Sequence, residues 1–322
     1  DMGEDRTVMA TKVKESLREH VLAGRVFCPL STGLIVELYR QSEEARFRIG
    51  ALMEEFSLNV SYANPEEIFE WEIRQAICKL AEIGPADFSS RELYVPVAEY
   101  LSSRMSLEFF KAVTPSDMTA MAAELSRRIE AIRLTEILAM RTQSNDKIFE
   151  YAKKLPAPAY AERVRQSLAA ARGDKAKLER REVEFVVKRY VSRALEDLPL
   201  PAKIQAANYF RDAPKDKYGG CVEKLIELAP SVRNHIELMV TLSQFPTRND
   251  KINHFFDNEL MPVSLAYATA FASRDGGIRD VLKHRTRILS RSDCSYCENV
   301  EELGTWLGSV AVSNTSESPA ET

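Results

Sequence analysis

The stretch FDNELMPVSLAYATAFASRD, residues 256–275, joins a helix-like segment to a strand-like segment and carries an acid at each end. Asp257 comes first, in a position where the dipole of a helix favours a carboxylate. The run Ala270–Ala272 then has the character of a buried strand, and Asp275 follows it. Ligands of α/β folds bind beyond the carboxyl ends of the strands. The order of these segments therefore predicts that Asp257 and Asp275 lie at one edge of a parallel sheet.

Both ends of the chain alternate between helical and strand-like patterns, which is typical of a parallel sheet. Near the start, a helix over 7–24 precedes the apolar run Arg25–Leu30, and Ser31 or Thr32 can cap a second helix that contains Glu37. After residue 250 the pattern predicts, in order, helix 257–268, strand 269–274, helix 276–283, strand 286–290 and helix 299–310.

The middle of the chain, from about 45 to 245, is predicted to be helical, because strand signals almost vanish there. Prolines and glycines such as Pro115, Pro199 and Gly219 separate the segments. The predicted helices are 46–57, 65–83, 92–102, 106–112, 116–141, 144–153, 159–172, 175–196, 200–210, 217–228 and 231–243.

These patterns predict one α/β domain of Rossmann-type parallel-sheet architecture that a large all-helical insertion divides in sequence. Residues 1–60 form its first part, 61–228 the helical insertion and 229–310 its second part. The polar tail, residues 311–322, is predicted to be disordered.

Composition limits the classes of function. The chain has 322 residues, 45% hydrophobic residues and a net charge of −4, so any attraction to nucleic acid must come from a local patch. Five scattered cysteines do not form a disulfide framework, which favours a reducing cytoplasm. No apolar run approaches the ~20 residues of a membrane span, so no membrane contact is expected.

Acidic residues from distant segments suggest a metal site. Glu37, Asp257 and Asp275 each follow a predicted strand or begin a predicted helix, and Asp250 and Glu259 lie near them in sequence. Several carboxylates at one place suit hard cations such as Mg²⁺ or Mn²⁺. Each acid also has an ordinary interpretation, as a helix-start residue, a surface ion pair, or a turn and N-cap residue.

The same residues resemble the PIN-domain nucleases, and in particular a group of large bacterial PIN-like proteins. GRVFCPLS (24–31) matches the G-x-x-x-x-P-L-S segment of that group, and Glu37 occupies the helix that follows. Arg248-Asn249-Asp250 and the stretch 256–275, with Ser273-Arg274-Asp275 in its turn, resemble its later block. The resemblance covers roughly residues 10–60 and 230–308.

The resemblance implies that Glu37, Asp257 and Asp275, with Asp250 as a further candidate, bind Mg²⁺ or Mn²⁺ and hydrolyse RNA. PIN domains open on a strand that ends in an aspartate, and none precedes Asp1 in this sequence. Either that strand lies upstream, or the set of acids is incomplete.

Two other patterns bear on function. Residues 162–193 hold ten Lys or Arg against five acids. This surplus of positive charge makes four bases candidates for RNA contacts, namely Arg180, Arg181, Lys188 and Arg189. The alternative is that they belong to an ordinary solvated helix face.

Cys294 and Cys297 have the spacing of metal ligands, but the sequence has no second C-x-x-C. This favours a turn that contains two small apolar residues.

The sequence thus supports a leading hypothesis of a divalent-metal-dependent endoribonuclease. The alternative is a catalytically inactive helical interaction protein, which binds nucleic acid, or a protein partner through its helical insertion. The native amino terminus would distinguish the two, because a strand ending in Asp just upstream favours the nuclease.

Overall fold

The computed structural model of the chain describes residues 2–31, 34, 38, 41–84, 93–97, 133–139, 174–242 and 261–313. Helices dominate this part of the chain. In order they are α1 (Met2–Leu22), α2 (Glu43–Ser57), α3 (Pro65–Leu80), α4 (Leu134–Ala139), α5 (Lys175–Val186), α6 (Ser192–Glu196), α7 (Leu200–Asp212), α8 (Val222–Glu227), α9 (Pro230–Leu242), α10 (261–267), α11 (Gly276–Asp280) and α12 (Val300–Ser313).

Two helices continue into π-helical turns. Val187–Val191 joins α5 to α6, so that 175–196 forms one rod, and Val281–Arg285 extends α11. A 3₁₀ turn, Leu289–Arg291, follows the second of them.

The described strands are short and form two separate pairs. Strand β1 (Val60–Tyr62) pairs antiparallel with β2 (Tyr94–Pro96). Strand β3 (Ala270–Ala272) pairs parallel with β4 (Ser295–Cys297). No strand joins one pair to the other within the described residues.

The predicted Rossmann-type α/β architecture is therefore wrong, since the described part is mainly helical and contains no large parallel sheet. The apolar run before Ser31 shows why. It forms only an isolated bridge, Leu30 to Ser61, instead of a strand of the β3–β4 pair. Leu30 donates its N–H to the Val60 carbonyl at 2.9 Å and accepts from the Tyr62 N–H at 2.9 Å.

Local sequence explains why several predicted helices are confirmed. Asn64 Oδ1 accepts the N–H of Glu66 at 3.2 Å, and Pro65 occupies the first turn, so α3 begins where the N-cap and proline signals indicate. Asp174 Oδ1 likewise caps α5 by accepting from the N–H groups of residues 176 and 177.

The largest hydrophobic core lies where α3 packs against the rod 175–196, α8 and α9. It contains the fully buried Ile73, Ile77 and Val186. Val263, from α10, belongs to the same core. This core therefore combines residues from the predicted insertion with residues from the predicted second part of the α/β domain.

Smaller packing units surround this core. Helix α1 packs against α12, where a Cβ on Gly304 would lie 3.0 Å from Val13 Cγ2. Helix α2 meets α4 more closely, because a Cβ on Gly50 would lie only 2.5 Å from Leu138 Cδ1. A side chain at position 50 would therefore force Leu138 to change its conformation at that crossing.

None of the helices in the described ranges is long and apolar enough to cross a bilayer. The tail predicted to be disordered, residues 311–322, begins inside α12, which continues to Ser313, so the prediction is wrong for 311–313. Residues 314–322 lie outside the described part of the chain.

Candidate functional site

Asp275 lies where the sequence predicts, three residues beyond the end of β3. Its Oδ1 accepts the N–H groups of Gly277 at 2.6 Å and Ile278 at 2.9 Å, and thereby caps α11. Its own N–H donates to Ser273 Oγ at 3.2 Å. Asp275 therefore serves as an N-cap residue, and its position at the carboxyl end of a parallel strand also allows contact with a ligand.

The edge beyond β3 and β4 carries charges of both signs. Glu298 follows β4 and forms ion pairs with Lys283 and, at 3.6 Å, with Arg279. Burial raises the pKa of Tyr296, while the charge of Arg279 lowers it and that of Asp275 raises it further. Since bases offset the acids here, the edge is not an isolated group of carboxylates.

The other predicted metal ligands, Glu37, Asp250 and Asp257, lie outside the described residues, so the structure gives no distance from any of them to Asp275. Within the described residues, no three His, Cys, Asp or Glu side chains gather closely enough to hold a metal ion. A carboxylate such as Asp275 suits Mg²⁺ or Mn²⁺ chemically, but one carboxylate alone is not a metal site.

The predicted nucleic-acid contacts lie on the rod 175–196, but they do not share one environment. Arg189 points back to the protein, where it forms an ion pair with Glu66 and its guanidinium lies 5.7 Å from the ring centroids of Phe185 and Tyr190. Arg180, Arg181 and Lys188 are exposed. The structure therefore separates Arg189 from the other three.

A basic face runs along the solvent side of this rod. Its opposite side is anchored in the main core by Leu178, Val186 and Ala194, which are almost completely buried. This anchoring fixes which residues face the solvent. We define the basic face as the exposed bases Lys177, Arg180, Arg181, Lys188 and Arg193.

Only two members of the basic face have acidic partners among the described residues. Arg180 lies 3.5 Å from Glu184, and Lys177 lies 3.8 Å from Asp174. Arg181, Lys188 and Arg193 have no carboxylate within ion-pair distance in this part of the chain.

A second basic surface is a groove of ≈ 560 Å³ between the start of α5, helices α8 and α9, and the segment 285–291. Four acids, Glu179, Glu223, Glu227 and Glu237, also line it. We call this the arginine groove, and its basic lining residues are Lys175, Lys217, Arg233, Arg285, Arg287 and Arg291.

The C-x-x-C pair is buried at β4. Burial raises the pKa of Cys294 to about 12 and also raises the pKa of Cys297. Both side chains therefore carry thiols rather than thiolates at neutral pH, which agrees with their interpretation as small apolar residues.

Glu72 is a buried functional group that the sequence reasoning missed. Its side chain is 2% exposed and lies on the core face of α3. It accepts the N–H groups of Ser231 at 2.9 Å and Val232 at 3.1 Å, and the hydroxyl of Tyr267 at 2.5 Å. The sequence signal that could have identified Glu72 is a carboxylate one turn after Ile68, on the otherwise apolar face of α3. Glu72 thus joins α3 to the start of α9 and to α10.

We expect Glu72 to make stability depend on pH. Burial raises its pKa, and the hydroxyl of Tyr267 and the two N–H groups lower it only in part. The folded protein therefore binds this proton more tightly than the unfolded chain does. The resulting stability is fully present below the ordinary glutamate pKa of about 4.3, and it is lost as the pH rises through the raised pKa.

Urea unfolding of the wild type and of Glu72→Gln over this pH range measures the effect, since the glutamine variant lacks the titrating group. The free energy of unfolding of the wild type should fall relative to that of the variant as the pH rises. A difference that stays constant with pH would contradict the assignment.

Comparison of the whole chain with models of known protein families, with curated proteins and with solved structures finds no match. The resemblance to PIN-domain nucleases therefore rests on the sequence segments quoted above.

Proposed function

We propose that this protein binds RNA through the basic face of the rod 175–196. The observation that carries the proposal is the row of exposed bases on that rod, three of which have no acidic partner within the described residues. Because the whole chain carries a net charge of −4, attraction to a polyanion must arise from such a local surface.

The geometry of the rod supports contacts to the phosphate backbone. Lys177 and Arg193 are separated by 16 positions, which corresponds to roughly 24 Å along a helix. Lysine and arginine side chains spaced along such a surface neutralise successive phosphates and release counterions.

The aromatic residues of the same rod support an RNA-binding mode in which bases do not stack on aromatic rings. Tyr190 is buried in the main core, and Phe185 packs against that core beneath Arg189. Neither ring is presented beside the basic face as a platform for an unpaired base. We therefore expect binding with little dependence on RNA sequence, because phosphate contacts carry no direct sequence information.

The test is the affinity for a labelled single-stranded RNA. In the triple variant Arg181→Gln, Lys188→Gln, Arg193→Gln, we expect the Kd at low salt to rise about tenfold or more, since three phosphate contacts are lost. Fluorescence anisotropy measures the change. Circular dichroism should show unchanged helix content, because all three side chains are exposed.

A matched control removes three exposed charges elsewhere, with Lys12→Gln, Lys14→Gln and Lys79→Gln on α1 and α3. Its net charge equals that of the first variant, so long-range attraction is changed equally. Equal losses of affinity in the two variants would overturn the proposed interface.

A second candidate function is divalent-metal-dependent hydrolysis of RNA. The observation that favours it is the position of Asp275 beyond the carboxyl end of a parallel strand pair, where a ligand can reach it. Glu37, Asp250 and Asp257 complete the candidate set, and Mg²⁺ or Mn²⁺ would supply an activated water. Under this candidate, the basic face holds the substrate.

A further inference from the structure

The charges of the arginine groove are unevenly paired. Lys217 forms ion pairs with Glu179 at 3.2 Å and with Glu223 at 3.5 Å. Arg291 pairs with Glu237 at 3.1 Å. These five side chains, two bases and three acids, therefore pair among themselves at the wall of the groove.

The remaining bases leave an excess of positive charge. Arg285 pairs at 3.3 Å with Asp280, which does not line the groove. Lys175, Arg233 and Arg287 have no carboxylate within ion-pair distance among the described residues. The six bases that line the groove outnumber its four acids by two, and three of these bases form no ion pair within the described residues.

Arg233 is the most informative of these bases. It lies in the first turns of α9, and its Nε is buried and has no hydrogen-bond partner within the described part of the chain. The side chain as a whole is half-buried and lines the groove. An anion in the groove would pair with this guanidinium, which has no carboxylate partner within the described residues.

The groove extends past Arg233 and Arg291 toward a second cavity. Both arginines also line this neighbouring space of ≈ 250 Å³, which includes Asn234 and Thr269. The arginine groove itself, at ≈ 560 Å³, lies within the ~300–1,000 Å³ typical of sites for small ligands. The π-helical turn Val281–Arg285 ends two residues before Arg287, and π-turns often occur at functional sites.

We propose that the arginine groove binds a phosphate group, with Arg233 and Arg287 as its principal donors. Planar guanidinium groups match phosphate oxygens in geometry and donate to them in pairs. The phosphate belongs either to the 5′ end of an RNA or to a free nucleotide-like ligand. The proposal is independent of RNA binding on the basic face, because a small phosphate ligand tests it alone.

The first measurement uses inorganic pyrophosphate at constant ionic strength. Pyrophosphate should raise the Tm of the wild type, since a ligand that binds the folded state stabilises it, whereas the same ionic strength of sodium chloride should not. In Arg233→Gln and in Arg287→Gln, the Kd for pyrophosphate should rise about tenfold or more for each lost charged donor. Arg211→Gln, which removes an exposed base outside the groove, should retain full binding.

Arg287→Gln keeps the test valid if Arg233→Gln folds poorly, because Arg287 is exposed. A wild-type Tm that does not respond to pyrophosphate overturns the proposal. A response that is equal in the wild type and in Arg287→Gln does so as well.

The source of the phosphate follows from two further titrations. Tighter binding of an RNA with a 5′-phosphate than of the same RNA with a 5′-hydroxyl assigns the groove to RNA ends. Equal binding of the two RNAs, together with the response to pyrophosphate, assigns it to a free phosphorylated ligand.

Discussion

Replacing Glu72 with alanine should lower the free energy of unfolding by about 3 kcal/mol or more. The variant leaves three donors without their acceptor, namely the N–H groups of Ser231 and Val232 and the hydroxyl of Tyr267. Each of them loses its partner in the protein interior, where water does not replace the carboxylate. The loss should be largest at the contact of α3 with α9 and α10.

Urea unfolding followed by circular dichroism measures this loss, and Glu70→Ala provides the matched control. Glu70 lies in the same helix and forms an ion pair with Arg74 at 3.1 Å. Because Arg74 also pairs with Asp197 and so keeps an acidic partner, the loss of Glu70 should cost only about 1 kcal/mol. If Glu72→Ala were as stable as Glu70→Ala, the proposed role of Glu72 in joining the three helices would be wrong.

The second large effect concerns Asp275. If the protein hydrolyses RNA, Asp275→Asn should reduce Mn²⁺-dependent cleavage at least ~100-fold, because it removes a charged ligand while leaving the rest of the chain intact. Asparagine is as good an N-cap residue as aspartate, so α11 should keep its start and the Tm should change little. Cleavage of labelled RNA with and without Mn²⁺ gives the readout.

Asp280→Asn is the matched control for this experiment. Asp280 ends the same short helix and forms an exposed ion pair with Arg285. Full cleavage by Asp275→Asn, or an equal loss in both variants, would remove Asp275 from the catalytic set. Absence of metal-dependent cleavage in the wild type would leave RNA binding as the function.

Helices could be predicted from the sequence because their signals are local. The predicted helix 175–196 corresponds to the observed rod, and 200–210 corresponds to Leu200–Asp212. Prolines, N-cap residues and apolar periodicity act within a few residues of the helix they define. The π-turn Val187–Val191 inside the rod has no comparable signal.

Strand pairing could not be predicted, because it depends on partners far away in the chain. The strand predicted at 286–290 is instead irregular structure that leads into the 3₁₀ turn Leu289–Arg291, and the helix predicted at 92–102 is wrong where strand β2 lies. The partner of β3 is Ser295–Cys297, in the segment expected to be a turn. Strands of three residues carry too few positions to show an alternating pattern.

The candidate functional residues likewise include some that local sequence predicts and others whose positions depend on tertiary packing. The position of Asp275 after β3 follows from neighbouring residues and was predictable. The arginine groove combines bases from α5, α9 and the segment 285–291, so its existence depends on tertiary packing. The different environments of Arg189, which pairs with Glu66, and of the exposed Lys188 likewise depend on where Glu66 lies.

The most direct test of RNA binding on the rod is the salt dependence of the affinity. A plot of log K against log salt concentration should be less steep by about 2 in the variant Arg181→Gln, Lys188→Gln, Arg193→Gln, at ~0.7 for each lost phosphate contact on a single strand. The control that lacks Lys12, Lys14 and Lys79 should keep the slope of the wild type. An unchanged slope in the first variant would contradict the account.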